Sequence, residues 1–322
     1  MLNSTEKTII YLDPDTISYM YLDYSGARSY PVMKKLYGTL HDGFVNNLSV
    51  TPLSIDTIMH FMKDNRIDLK FLSMMGGIGQ VQFLHRFTIK TLQLIRVINS
   101  VFDNTYIKPV WRDVFSGNPD EKYAPEFSKY SSISAKNTML AVEREKKSSQ
   151  IFEFIDSYIT GRLLKDVAKK YFSSLWEKYP DLIIPYLPKV GSPETYMKEF
   201  LEYEEIKDIP QFHILSSVLY PLIDAYSIEV VESGSRDNEL LAAEIMSVYL
   251  PYCHFYVTTV DIAELVIMTG FDDLYDVKIY DHNESSLYKL INDVSELWKV
   301  KEKMSKSATK SQSLFRKGSS LF

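Results

Sequence analysis

The stretch "YLPYCHFYVTTVDIAELV", Tyr249 to Val266, decides how the chain is read. It opens as the end of a helix and turns at Pro251. It then crosses a short apolar run rich in aromatic and β-branched residues, Phe255 to Thr259, and resumes helical spacing after Val260. Helix, buried strand and helix in so few residues predict an α/β layout, because short apolar strands separated by helices pack as a small parallel sheet with helices on its faces. The strand ends near an acid, Asp261, and is preceded by His254.

Three other short runs fit the same scheme. "TIIYL" (residues 8–12) ends at Asp13-Pro14-Asp15, "LSVTPLS" follows a helical region broken near Gly26 and Pro31, and "VKIYD" precedes a terminal helix. "TIIYL" and "FYVTT" are expected to lie side by side and parallel, with their acid-bearing ends together. Between them the chain is mostly helical in pattern. Ser54 is expected to cap a helix in "SIDTIMHFMKDN", Ser192 one in "SPETYMKEFLEY", and Asp237 or Asn238 one in "RDNELLAAEIMSVYL". The expected architecture is a single helix-dominated α/β domain over residues 1–305, with a helical insertion at about 140–205. A flexible basic tail spans 306–322.

Composition narrows the classes. Of 322 residues, 45% are hydrophobic and 24% charged, enough apolar content for a sizeable core and too much for wholesale disorder. The lone cysteine, Cys253, lies in an apolar run and reads as a buried inert thiol. No apolar run is long enough to span a membrane, and the N-terminus lacks the apolar core of a signal peptide, so a cytoplasmic location is expected. The net charge is −6, yet seven basic residues face one acid between Lys299 and Phe322, which leaves −12 for the rest. An acidic body argues against broad nonspecific nucleic-acid binding but leaves room for a local basic groove. The tail repeats Ser-Leu-Phe at 313–315 and 320–322. It is either a solubilising end or a docking peptide for a protein partner or a second copy, with Leu314 and Phe315 or Leu321 and Phe322 as anchors.

The glycine cluster "MGGIGQ" has neither a dinucleotide-binding nor a P-loop spacing, and no two histidines stand at metal-binding helical spacing. Carboxylates carry the stronger signal. Asp13 and Asp15 follow the first strand, where open α/β sheets bind ligands. Asp237 and Glu239 start a later helix, and Asp261 follows the "FYVTT" strand. Acids gathered from such places can hold one divalent cation and activate water against a phosphodiester. The same acids serve equally well as helix caps and solvated loop residues.

"IIYLDPDTISYMYLD", "VTPLSIDTIMHF" and "RDNELLAAEIMSVYLPYCHFYVTTVDIAELV" together resemble the large PIN-like proteins of bacteria. That resemblance implies a metal-dependent nuclease, mostly of ribonuclease type, with carboxylates around Mg²⁺ or Mn²⁺, and a toxin or phage-defence setting. Asp13 stands at the family's first acid. His60 falls near the helix glutamate, with Asp56 one turn earlier. Glu239 and Ala242 stand where two aspartates are usual, His254 where another is, and Thr259 at the final one, with Asp261 two residues on. The resemblance therefore implies Asp13, Glu239 and Asp261 as metal ligands and catalytic groups, with Asp15, Asp56, His60, Asp237, His254 and Thr259 as further candidates. Two functions follow: a nuclease acting on RNA or another single-stranded nucleic acid, or a PIN-derived interaction subunit that has lost catalysis.

Overall fold

The computed structural model describes residues 6–54, 164–178, 191–203, 209–218 and 242–318, with single positions between them. Asp56, His60, Asp237 and Glu239, the glycine cluster at 76–79 and most of the connection at 103–140 lie outside the described residues.

The first element is β1, Thr8–Leu12, buried along its whole length. Ile9 and Ile10 favour the extended backbone, and Asp13-Pro14 ends it. Pro14 then opens helix α1, Pro14–Tyr24, where its missing N–H costs nothing. A second proline starts α2, Pro31–Val45, and the chain returns to β2, Ser49–Val50. Ser54 does accept the Thr57 N–H (3.0 Å), the capping bond expected there. Farther on are α3, Leu164–Lys178, and α4, Pro193–Glu202, the latter capped by Ser192 accepting the Thr195 N–H (3.2 Å). Residues 210–218 and 242–249 are also helical.

The opening stretch folds as it reads. Leu250–Tyr252 is a 3₁₀ turn, Phe255–Val257 is strand β3, and α5 spans Val260–Thr269. Helix α6, Phe271–Tyr275, leads to β4, Lys278–Tyr280, and then to α7, Glu284–Gly318. All pairings are parallel and the sheet order is β2-β1-β3-β4. Ile10, Tyr11 and Leu12 lie opposite Phe255, Tyr256 and Val257, so "TIIYL" and "FYVTT" are neighbouring parallel strands as expected.

Both faces of the sheet are covered, as parallel sheets require. Successive side chains alternate. Ile9 and Tyr11 pack with Tyr256 and the helices of the 164–252 region, whereas Ile10 and Leu12 pack with Phe255, Val257, α1, α2 and α7. Tyr11 stacks on Tyr256 at 4.7 Å and on Tyr249 at 5.6 Å. Helix α7 presents Leu287, Leu290, Ile291, Val294 and Trp298 to the second core. It approaches α2 at Gly43 so closely that a Cβ there would strike the Trp298 ring. Lys301 ties α7 to the start of β1, donating to the Glu6 carbonyl (2.6 Å) and the Thr8 hydroxyl (3.0 Å).

Helix α7 departs from expectation in length. The sequence reading ends it near Met304 and begins a flexible tail at 306, whereas the helix continues to Gly318. "SKSATKSQSLFRK" contains no proline or glycine to stop it, and its basic residues suit the negative end of a helix dipole. Leu314 and Phe315 are thus helical positions, while Leu321 and Phe322 lie outside the described residues. Among the described residues no helix is long and apolar enough to cross a membrane.

Candidate functional site

The order β2-β1-β3-β4 contains one place where the chain's direction of winding reverses. From β1 it winds outward to β2, and from β3 it winds the other way to β4, so the reversal lies between β1 and β3. Outside the carboxyl ends of the strands, such a switch point leaves a crevice where ligands bind. Asp13 sits there. Its N–H donates to the carbonyl of Val257, the last residue of β3 (3.3 Å), which fixes its position across the β1–β3 boundary.

The Asp13 side chain caps α1. Oδ1 accepts the Thr16 N–H at 2.9 Å and the Thr16 hydroxyl at 2.6 Å. Its charge is favoured there by the positive end of the helix. The third partner is His282, whose Nε2 lies 2.9 Å from both Asp13 oxygens. His282 comes from the turn after β4. That turn is held by Asp281, whose Oδ1 accepts the Asn283 N–H (2.7 Å), and by the Ser286 hydroxyl, which accepts the Asp281 N–H (3.1 Å). Tyr19 on α1 meets the His282 ring edge-on at 5.9 Å.

Burial alone would lower the His282 pKa. The hydrogen bond and charge of Asp13, joined by the charges of Asp15 and Asp281, outweigh it and raise the pKa above the usual histidine value. Asp15, exposed in the first turn of α1, completes the group. One ligand atom from each of Asp13, Asp15 and His282 lies within 4.8 Å of the others. Two carboxylate oxygens and an imidazole nitrogen suit Mn²⁺ and, with water and phosphate oxygens filling the remaining positions, Mg²⁺. The donor set therefore fits a divalent cation.

Of the residues expected at the site, Asp13 and Asp15 are brought together. Asp261 is exposed in the first turn of α5 and does not join the group. Thr259 is the N-cap of α5 without a side-chain capping bond, and its hydroxyl is buried without a hydrogen-bond partner.

The reading of His254 as a site residue needs correction. It precedes β3 and lies level with Ile9, whereas Asp13 is four residues farther along β1, roughly 13 Å at 3.3 Å per residue. Its Nδ1 accepts the Ile9 N–H at 2.9 Å, and its backbone N–H donates to the Ile9 carbonyl at 2.9 Å. Burial, with the nearby charge of Lys301, pushes its pKa down to about 3. It is a neutral structural acceptor at the amino end of the sheet. Cys253 is buried, with its thiol pushed up by burial and donating to the Tyr249 carbonyl (3.2 Å).

His282 was not singled out from the sequence. The available signal was positional, since it follows "VKIYD" much as Asp13 follows "TIIYL".

A cleft of about 450 Å³ opens beside His282. Its walls include Tyr19, Arg28, Tyr30, Val32 and Glu284.

Comparison with protein-family models, curated proteins and solved structures finds no match, so the functional reading rests on the chemistry of this site.

Proposed function

We propose that the chain is a divalent-metal-dependent nuclease of PIN-like type acting on single-stranded RNA, with its site at the β1/β3 switch point. The observation that carries this reading is the convergence of Asp13, Asp15 and His282 where an open parallel sheet binds its ligands. A bound Mn²⁺ or Mg²⁺ would supply Lewis-acid polarisation of a phosphodiester and activation of water.

The chain's own residues do the rest. Asp13 is held in one rotamer by Thr16, so one carboxylate is set in place before any ligand arrives. Asp15 supplies a second negative charge from the solvent side. His282 would hold the ion through Nε2 once that nitrogen has lost the proton it shares with Asp13. Phosphate oxygens of the substrate would complete the set. This activity would belong to the cytoplasm, within a toxin or phage-defence setting, with the basic residues 306–322 as the segment that docks a protein partner or a second copy.

A specific observation favours a second reading. Oδ1 of Asp13 already accepts two Thr16 donors and shares His282, so the carboxylate can be a structural cap closed by an ion pair. The chain would then be a PIN-derived interaction subunit without catalysis.

Cleavage of a fluorophore–quencher single-stranded RNA in Mn²⁺ separates the two. Asp13→Asn keeps the helix cap, because Asn caps as well as Asp, but removes the charge. The nuclease reading expects wild-type cleavage and a loss of at least about 100-fold in Asp13→Asn. Absence of cleavage by the wild type leaves the interaction subunit, and equal cleavage by both removes Asp13 from the mechanism.

A further inference from the structure

The cleft beside His282 is built differently from the acidic group it adjoins. Tyr19 and Tyr30 form one wall, their rings 5.4 Å apart and tilted by 58°. The Arg28 guanidinium lies 5.1 Å over the Tyr30 ring. Arg28 is exposed and has no carboxylate partner among the described residues. A volume of about 450 Å³ is within the range of small-ligand sites and suits one nucleotide.

The pattern continues away from the cleft. Tyr30, Lys34, Tyr37 and His41 recur at helical spacing, so they share one face of α2. The Tyr37 and His41 rings lie 6.2 Å apart. Lys34 and His41 are exposed and Tyr37 half-buried. The stripe from Tyr30 to His41 is roughly 16 Å long at 1.5 Å per residue. Cations interleaved with aromatic rings along a track are the arrangement that binds single strands, because bases stack on rings while phosphates meet the cations. Glu284 also lines the cleft. Its carboxylate can accept a base amino group, while Arg28 supplies the charge that a phosphate needs.

We propose that this cleft is a nucleotide subsite for single-stranded nucleic acid, with Arg28 holding a phosphate and Tyr19 and Tyr30 holding the adjoining base, and that the strand leaves it along the Lys34–His41 face of α2. The inference names the substrate-holding surface of the proposed nuclease and rests on that reading only for what happens after binding.

The test is fluorescence anisotropy of a labelled 12-nucleotide single-stranded RNA with the full chain in EDTA at low salt, where cleavage plays no part. The wild type should bind saturably. Arg28→Ala and Tyr30→Ala should each weaken binding about tenfold, Tyr30→Phe should retain it, and double-stranded RNA of the same length should bind more weakly. Lys169→Ala, which removes one positive charge from α3, should match the wild type. Arg28 is exposed, so its variant reports on binding even if a Tyr30 variant misfolds. No saturable binding by the wild type overturns the proposal. So does undiminished binding by Arg28→Ala, or equal affinity for the duplex. Binding that depends on Arg28 and Tyr30 without any cleavage in Mn²⁺ keeps the subsite and removes the nuclease. Cleavage with undiminished binding by both variants does the reverse.

Discussion

At the amino end of β3, His254 accepts the Ile9 N–H; after the carboxyl end of β4, His282 binds Asp13. The two rings belong to the same sheet, and the sheet drives their pKa values in opposite directions. His254 is half-buried against strand backbone and near the charge of Lys301, so desolvation dominates and its charged form is disfavoured. His282 faces two aspartates from α1 and a third in its own turn, and these override burial. A parallel sheet concentrates helix N-termini, and therefore acids, at its carboxyl end. In this sheet the histidine at the amino end is a neutral acceptor, and the one beyond the carboxyl end is the ion-pair partner of Asp13.

The comparison can be broken first at His254. Its folded pKa of about 3 lies below the unfolded value near 6.5, so the unfolded chain binds the extra proton between those limits. Stability should therefore fall as pH drops from about 6.5 towards 3, by up to about 4–5 kcal/mol from this group. His254→Asn, which keeps an acceptor for the Ile9 N–H, should flatten that limb in urea melts taken at several pH values. An unchanged acid limb would mean that His254 is not excluded from protonation.

His282 should behave with the opposite sign in metal-free protein. Its folded pKa is raised, so its contribution is complete below the unfolded pKa near 6.5 and is lost as pH rises through the folded one. His282→Gln should cost about 1–2 kcal/mol at pH 5.5 and less at pH 9. An equal cost at both values would remove the ion pair from the account.

A smaller effect separates the two roles of Asp13. Asp13→Ala should lose about 1 kcal/mol more than Asp13→Asn, because only Asn can still cap α1 for Thr16. Equal stabilities would show that capping contributes little. The smallest effect belongs to Asp261. Exposed at the start of α5, it has no hydrogen-bond or ion-pair partner among the described residues and interacts with the helix dipole, so Asp261→Ala should cost less than about 1 kcal/mol. It should leave Mn²⁺ affinity within about twofold. A large drop in affinity would restore it as a ligand.

The strands were legible because each is a short β-rich run, and because β1, β2 and β3 are buried along their whole length. Asp13 and Asp15 were legible for the same reason: Asp-Pro-Asp after "TIIYL" marks both a strand end and a helix cap. His282 was not, since a single histidine after a strand carries no spacing of its own. Only the pairing of β4 with β3 brings its turn over Asp13. His254 misled because its neighbours Cys253 and Tyr252 carry the resemblance, while its place before β3 puts it at the wrong end of the sheet. The extent of α7 was hidden by a low-complexity sequence whose residues tolerate helix without demanding it.

The central claim is that Asp13, Asp15 and His282 form one divalent-cation site. It is tested most directly by titrating Mn²⁺ into the metal-free full chain and following the free-ion signal by electron paramagnetic resonance. The account predicts one site in the wild type. That site should be weakened at least about tenfold in each of Asp13→Asn, Asp15→Ala and His282→Ala, and unchanged in Asp261→Ala. Absence of a site in the wild type, or a site that survives Asp13→Asn and His282→Ala, would contradict it.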